Sequence, residues 1–222
     1  MRFSNRLVRP VLSTFSFLVT WLFLTLTPLS ANPIAVTFKP SGSNALAVNA
    51  PGNSLTVSVF IDNGKLASAV WKDSQPEKQL SLIGHDQTTR LCFFENSGSS
   101  EKSALTWENF YVGKKAESLT AKGSNGSKTC QFQAWVHQVR GKVLPLALIK
   151  VNFSGTAPKA GTPLLDSSGK IVALILQPAS GNSAYAIPCQ AVHRVHRDMT
   201  DHRKLVRGWL GFSLSTNSNV PR

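Results

Sequence analysis

The chain has 222 residues, with 24 Lys+Arg against 11 Asp+Glu, a formal net charge of +13 at pH 7 and three cysteines. That length holds one domain of ordinary size or two small packed barrels. Three thiols exclude a disulfide-built scaffold, so a hydrophobic core has to hold the fold. The positive balance suits an anionic partner such as a polyanion, a membrane surface or an acidic protein, although solubility alone explains it as well.

Residues 1–31 read as a leader and not as fold. Arg2, Arg6 and Arg9 form a basic start without an acid, Val11 to Leu26 is mostly apolar, and Leu29-Ser30-Ala31 supplies small residues for cleavage before Asn32. An uncleaved membrane anchor is the alternative, weakened by Thr20, Thr25, Thr27 and Pro28. Cleavage removes three of the 24 Lys+Arg and none of the acids, so +13 becomes +10. The expected location is secreted or periplasmic.

The next stretch, Asn32 to Ala50, carries apolar runs at Ile34 to Phe38 and Ala45 to Val48, and Pro51-Gly52-Asn53 is a turn. Leu55 to Phe60 alternates with period two, as a half-buried strand does. Asp62-Asn63-Gly64-Lys65 is the strongest hairpin signal, because Asn-Gly readily takes positive φ. Leu66 to Trp71 is the return strand, and Leu80 to Ile83, Leu91 to Phe94 and Trp107 to Val112 are further strands. Asn96 to Lys102 reads as loop. Residues 114–128, rich in Lys, Ser, Gly and Asn, read as a linker between a first β-unit at 32–113 and a second at 129–187. Cys130 to Val136 and Val143 to Phe153 are strands separated by a turn at Arg140-Gly141-Lys142. Strands about ten residues apart point to an all-β barrel or sandwich.

From Thr156 to Pro188 the chain reads as an antiparallel meander. Gly161-Thr162-Pro163 leads into a short apolar run, Asp166 to Gly169 is a turn, Ile171 to Leu176 a second run, Ser180-Gly181-Asn182 another turn, and Ser183 to Ile187 a third strand. Residues 188–207 then change to helical spacing. Pro188 suits a first helical position, and Ala191, Val192, Val195, Met199 and Leu205 mark an apolar face. His193, Arg194, His196, Arg197, His202, Arg203 and Lys204 crowd the remaining faces, which read as a solvated basic surface. Residues 208–222 are a short tail. No Cys-x-x-Cys, G-x-G-x-x-G or P-loop occurs, so no cofactor or zinc site is expected. Asn125-Gly126-Ser127 and Asn152-Phe153-Ser154 match glycosylation acceptors, relevant only in a eukaryotic secretory route.

Pro158-Lys159-Ala160-Gly161-Thr162-Pro163-Leu164, then Ala186-Ile187-Pro188, then Arg207-Gly208-Trp209-Leu210-Gly211, resembles in order and spacing the Gly-x-Ser-Gly-Gly-Pro-Leu, Ala-Ile-Pro and Arg-Gly-Trp-Leu-Gly of trypsin-like serine proteases of the HtrA/Deg type. The resemblance implies two antiparallel β-barrels with an active-site cleft between them and a C-terminal helix. It also implies that Ala160 stands where the family has its nucleophilic serine. Leu82 to Leu91 is similar to the family's stretch ending Asp-Leu, which puts Arg90 at the triad acid. Counting forward from the Ile61–Leu66 hairpin puts Trp71 near the histidine. Pro158 falls at the glycine whose N–H helps form the oxyanion hole.

A serine protease needs a nucleophilic oxygen, a base to take its proton and a carboxylate to orient that base. Ala160 has no oxygen, Trp71 accepts no proton, Arg90 carries the wrong sign, and Pro158 has no N–H. Losing one oxyanion donor typically costs about 2.7–4 kcal/mol of transition-state stabilisation. Ser154, Thr156 and Thr162 are the nearby hydroxyls, and none has a histidine in a triad setting among His85, His137, His193, His196 and His202. Cys189 at the helix start invites a lowered pKa, with packing the simpler reading.

The leading expectation is therefore a secreted trypsin-like pseudoprotease that binds peptide or protein. In active relatives substrate pairs along the strand matched here by Leu174, Ile175, Leu176 and Gln177, and main-chain pairing needs no triad. A filled cleft, with Trp71 filling it, stands against this. The alternatives are a basic scaffold that binds an anionic partner through the helix and the 114–128 stretch, and an active HtrA-type endopeptidase. Nucleic acid is not the expected partner, because aromatic interleaving is missing. The eleven residues after Gly211 leave no room for the family's PDZ domain, and oligomerisation is not carried over.

Overall fold

The computed structural model describes residues 32–203, apart from 73, 75, 96–104 and 140. The leader at 1–31, the loop at Asn96 to Lys102, Leu205 and the Arg207–Gly211 motif lie outside the described residues. Among the described residues, twelve strands form two closed six-stranded antiparallel barrels, followed by one α-helix. The first barrel uses β1 (Ile34–Lys39), β2 (Asn44–Asn49), β3 (Leu55–Val59), β4 (Ser68–Trp71), β5 (Lys78–His85) and β6 (Leu91–Glu95). The second uses β7 (Ser118–Gly123), β8 (Gly126–Val139), β9 (Lys142–Phe153), β10 (Pro163–Leu165), β11 (Ile171–Pro178) and β12 (Ser183–Pro188). The all-β, two-barrel expectation is met, and closure leaves each sheet without a free edge along most of its length.

Strand order in the first barrel is β1-β2-β3-β6-β5-β4. Consequently β3 and β4, the strands flanking Asp62-Asn63-Gly64-Lys65, are not neighbours. The expected hairpin is a crossover between opposite sides of the barrel. Neither Asn63 nor Gly64 is among the residues with positive φ, which a two-residue hairpin turn needs. The β3 strand is also more buried than its alternation implied. Val57 and Val59 are fully buried, and so is Ser58, whose hydroxyl donates to the Leu46 carbonyl at 2.6 Å.

Two other expectations change. Residues 114–128 are not a linker, because they supply β7 and the start of β8, and Leu119 and Ala121 are buried. Small and polar residues suit a strand whose other face is wet. Trp107 to Val112 is not a strand. Its one ladder contact is a parallel bridge from Trp107 to Ile171, after which it runs as irregular chain between the barrels. It is pinned by Trp107 Nε1 donating to Asn49 O at 2.8 Å and by Glu108 N donating to Ile171 O at 2.9 Å.

The β10-β11-β12 meander is as expected, and β12 passes straight into helix α1 (Cys189–His202). Pro188 is the N-cap with φ −70 and ψ 153, not the first helical residue. Arg203 closes the helix in a left-handed conformation, its N–H bonded to Met199 O. Cys189, Ala191, Val192, Val195 and Met199 are the buried stripe, which packs on β6 of the first barrel and on β11 and β12 of the second. One core cluster joins Phe38, Phe60, Phe93 and Phe94 to Leu174, Ile187 and Val195, so the barrels and the helix share an interior.

Candidate functional site

The cleft is built from two turns and one strand. The first follows β5. Asp86 is buried, and its carboxylate accepts Thr88 N at 3.0 Å, Thr89 N at 3.2 Å and the Thr89 hydroxyl at 2.6 Å. An aspartate satisfying the backbone two and three residues on fixes a tight turn. That turn delivers Arg90 with φ 64, an uncommon conformation for a long side chain. Its guanidinium donates from Nη1 to Asp62 O at 3.4 Å and from Nη2 to Asn63 Oδ1 at 3.2 Å, which ties it to the crossover loop.

The residue beside Arg90 is Phe60, not Trp71. Phe60 N donates to Arg90 O at 2.9 Å, and its buried ring lies edge-on to Phe38 and His85, with centroids 5.1 and 5.4 Å away. Trp71 ends β4, paired with Val36 and Lys78, and β4 stands three strands from β3 either way round the barrel. Counting residues across the Asp62–Lys65 loop missed this, because the loop crosses the barrel instead of turning back. The β3–β6 pairing, which puts the end of β3 against the turn before β6, is the feature that locates Phe60.

The second turn carries Ala160. Lys159 O accepts Thr162 N at 3.3 Å and the Thr162 hydroxyl at 2.7 Å, so the buried threonine is satisfied within its own turn. Gly161 has φ +78, and a Cβ there would lie 1.8 Å from Leu46 O, so only glycine fits. Leu46 N donates to Ala160 O at 2.9 Å, locking the loop to β2. Ala160 is 8% exposed and belongs to the core cluster that holds Phe60.

The third element is β11, where the four expected peptide-binding residues divide. Leu174 pairs with Pro163 on one side and Ile187 on the other. Ile175 N donates to Thr162 O at 2.9 Å, and its carbonyl accepts Gly161 N at 2.8 Å. Both residues are fully buried and their edges are taken. Pairing with the loop stops there. A bulge at Leu176 shifts the register against β12, and the outer edge of Leu176 and Gln177 has no strand neighbour among the described residues.

Two grooves with no residue in common open around these elements. One, of about 250 Å³, is lined by Ile61, Arg90, Leu144, Leu146, Leu176 and Tyr185 among others. The other, of about 530 Å³, lies against β1 and β2 and includes Asn44, Leu46, Lys128, Pro158, Lys159 and Thr162. No histidine, cysteine or carboxylate lines either groove. Among the described residues no group of three or more His, Cys, Asp or Glu is placed to hold a metal.

The histidines of the helix are not all solvated, as the sequence led one to expect. His193 Nε2 bonds to Glu108 O at 3.0 Å, and its ring stands edge-on to Trp107. His196 turns inward to Phe93, and burial lowers its pKa, helped by His193 and opposed by Asp201. His85 is lowered by burial and by Arg90, with Asp86 opposing. All three cysteines are free and buried, so the single possible bridge does not form. Burial raises Cys130 to about 12 and Cys189 to about 11, so the helix start does not activate Cys189.

No protein-family model and no curated protein matches this chain. Solved structures do. The HtrA-type protease AlgW with a tripeptide superposes at a TM-score of 0.67 and 16% identity, covering 81% of this chain and 64% of that one. AlgW with a decapeptide gives 0.66 and 15%, covering 82% and 68%. A serine-to-alanine mutant of Rv3671c from M. tuberculosis H37Rv, in an inactive form, gives 0.60 and 7%, covering 78% and 89%. The chain thus spans about two thirds of the AlgW structures. At these identities the likeness shows the fold, the trypsin-like double barrel of HtrA-type proteases.

Proposed function

We propose that this trypsin-like double barrel is a peptide-binding pseudoprotease, with Phe60, Arg90 and Ala160 standing at the three triad positions and Pro158 at the oxyanion position. The observation that carries the reading is the open edge of Leu176 and Gln177 beside a groove that holds no general base. A strand edge offers a peptide backbone hydrogen bonds whether or not bond cleavage follows, and the HtrA-type protease AlgW has been seen with peptides. The basic, apolar leader supports export to the cell exterior or the periplasm.

The basic-scaffold reading has less behind it. The 114–128 stretch is built into the second barrel, and the exposed residues of α1 mix Arg194 and Arg197 with Asp201.

Purified protein should leave casein intact, and Ala160→Ser should not create activity, because neither Phe60 nor Arg90, at the other two triad positions, can take the hydroxyl proton. Fluorescent peptides selected for binding should lose at least about tenfold in affinity to Leu176→Pro, which distorts the strand at the open edge. Casein hydrolysis that a serine-protease inhibitor abolishes would overturn the proposal.

A further inference from the structure

Resting on the peptide-binding reading, we infer that the groove beside Leu176 selects a peptide carrying one large apolar side chain next to an acidic residue, with Arg90 as the carboxylate anchor.

The groove's chemistry is one-sided. Its walls are mostly aliphatic, from Ile61, Leu144, Leu146, Leu148 and Leu176, with Tyr185 at one side. Among the described residues, Arg90 is the only charged residue that lines it. Its volume of about 250 Å³ is below the usual range for a small-molecule site, and suits a single side chain presented by a longer chain.

Arg90 is held ready for an anion. Its two described hydrogen bonds go to neutral oxygens, the Asp62 carbonyl and the Asn63 amide. Neither ion pair among the described residues, Lys72–Glu77 or Lys170–Glu108, involves it. Asp62 lies beside it yet contributes its carbonyl oxygen, not its carboxylate, to the described contacts. A guanidinium has five N–H donors in a fixed fork, so three remain. The Asp86-braced turn and the left-handed backbone at Arg90 fix the root of the side chain, and the crossover loop fixes its end. A preorganised fork loses little freedom on binding and matches a carboxylate with paired bonds. Gln177 lines the same groove, and its backbone lies on the open edge. A peptide paired there runs past the guanidinium. A position that the resemblance assigns to a carboxylate then serves the opposite sign.

The test is selection from a random octapeptide library on immobilised full-length protein, compared with Arg90→Gln and Arg90→Lys. All three should melt alike, since each keeps a side chain that contacts the loop. The expected result is enrichment of peptides with Leu, Ile or Phe next to Asp or Glu. Replacing that acid by its amide, or Arg90 by Gln, should weaken binding about ten- to a hundredfold, with Arg90→Lys in between. Enrichment of apolar peptides without acid preference, unchanged in Arg90→Gln, would overturn this inference and leave the peptide-binding reading standing. Retention of no peptide by any of the three proteins would overturn both.

Discussion

At the scale of single residues, the loop around Ala160 is fixed by its backbone, bonded to Leu46 on one side and to Ile175 on the other. Gly161 is kept because Leu46 O fills the space a Cβ would need. Gly161→Ala should therefore cost about 3 kcal/mol or more, since it combines a steric clash with a positive φ. Gly169, at φ +79 with nothing within 4 Å of its Cβ position, should cost about 1 kcal/mol on the same change. Chemical denaturation of the two variants measures the difference, and equal losses would mean that the loop shifts to relieve the clash. Ala160, Pro158 and Arg90 were each legible in the sequence, through the resemblance, as departures from the family's residues at those places. Phe60 was not, because its role comes from a contact with Arg90 that only the barrel creates.

Among elements, helix α1 and the end of β5 carry the pH sensitivity. His196 is pressed on Phe93 with its Nε2 buried and without a hydrogen-bond partner among the described residues, and its folded pKa lies below the ordinary value of 6.5. His85 is lowered as well. Below pH 6.5 the unfolded chain takes up protons that these folded histidines refuse, so stability falls as pH drops towards their folded pKa values. The acid Glu108, whose pKa is lowered by its bond to Lys170, loses its contribution only below 4.5. Melting temperature should thus drop between pH 7 and pH 5, and His196→Leu should flatten that drop. An unchanged slope in the variant would place the sensitivity elsewhere. The helix itself was legible from its apolar spacing. The inward turn of His193 and His196 was not, because a histidine suits either face and only the packed barrel decides.

Over the whole molecule, one core cluster joins both barrels and the helix and holds Cys92, a second cluster holds Cys130 and Cys189, and all three thiols are buried. With Cys130 raised to about 12, Cys189 to about 11 and Cys92 higher still, little thiolate exists near neutrality. At pH 8 a thiol-specific reagent should label no cysteine in the native protein and all three after denaturation. Rapid labelling of the native state would mean that the core opens easily.

Local chemistry by itself determined most of the strands, the turns of the 156–188 meander, the terminal helix and the plain facts that Ala160 carries no hydroxyl, Arg90 no carboxylate and Pro158 no N–H. These follow from side-chain periodicity, turn residues and functional groups, which are local properties. Only the tertiary structure decided that Asp62–Lys65 crosses the first barrel, that residues 118–123 form a strand of the second, that Phe60 and not Trp71 meets Arg90, and that the edge without a strand neighbour among the described residues narrows to Leu176 and Gln177. Each of those depends on which strands become neighbours when the sheets close, and closure is set by the packing of residues far apart in the chain.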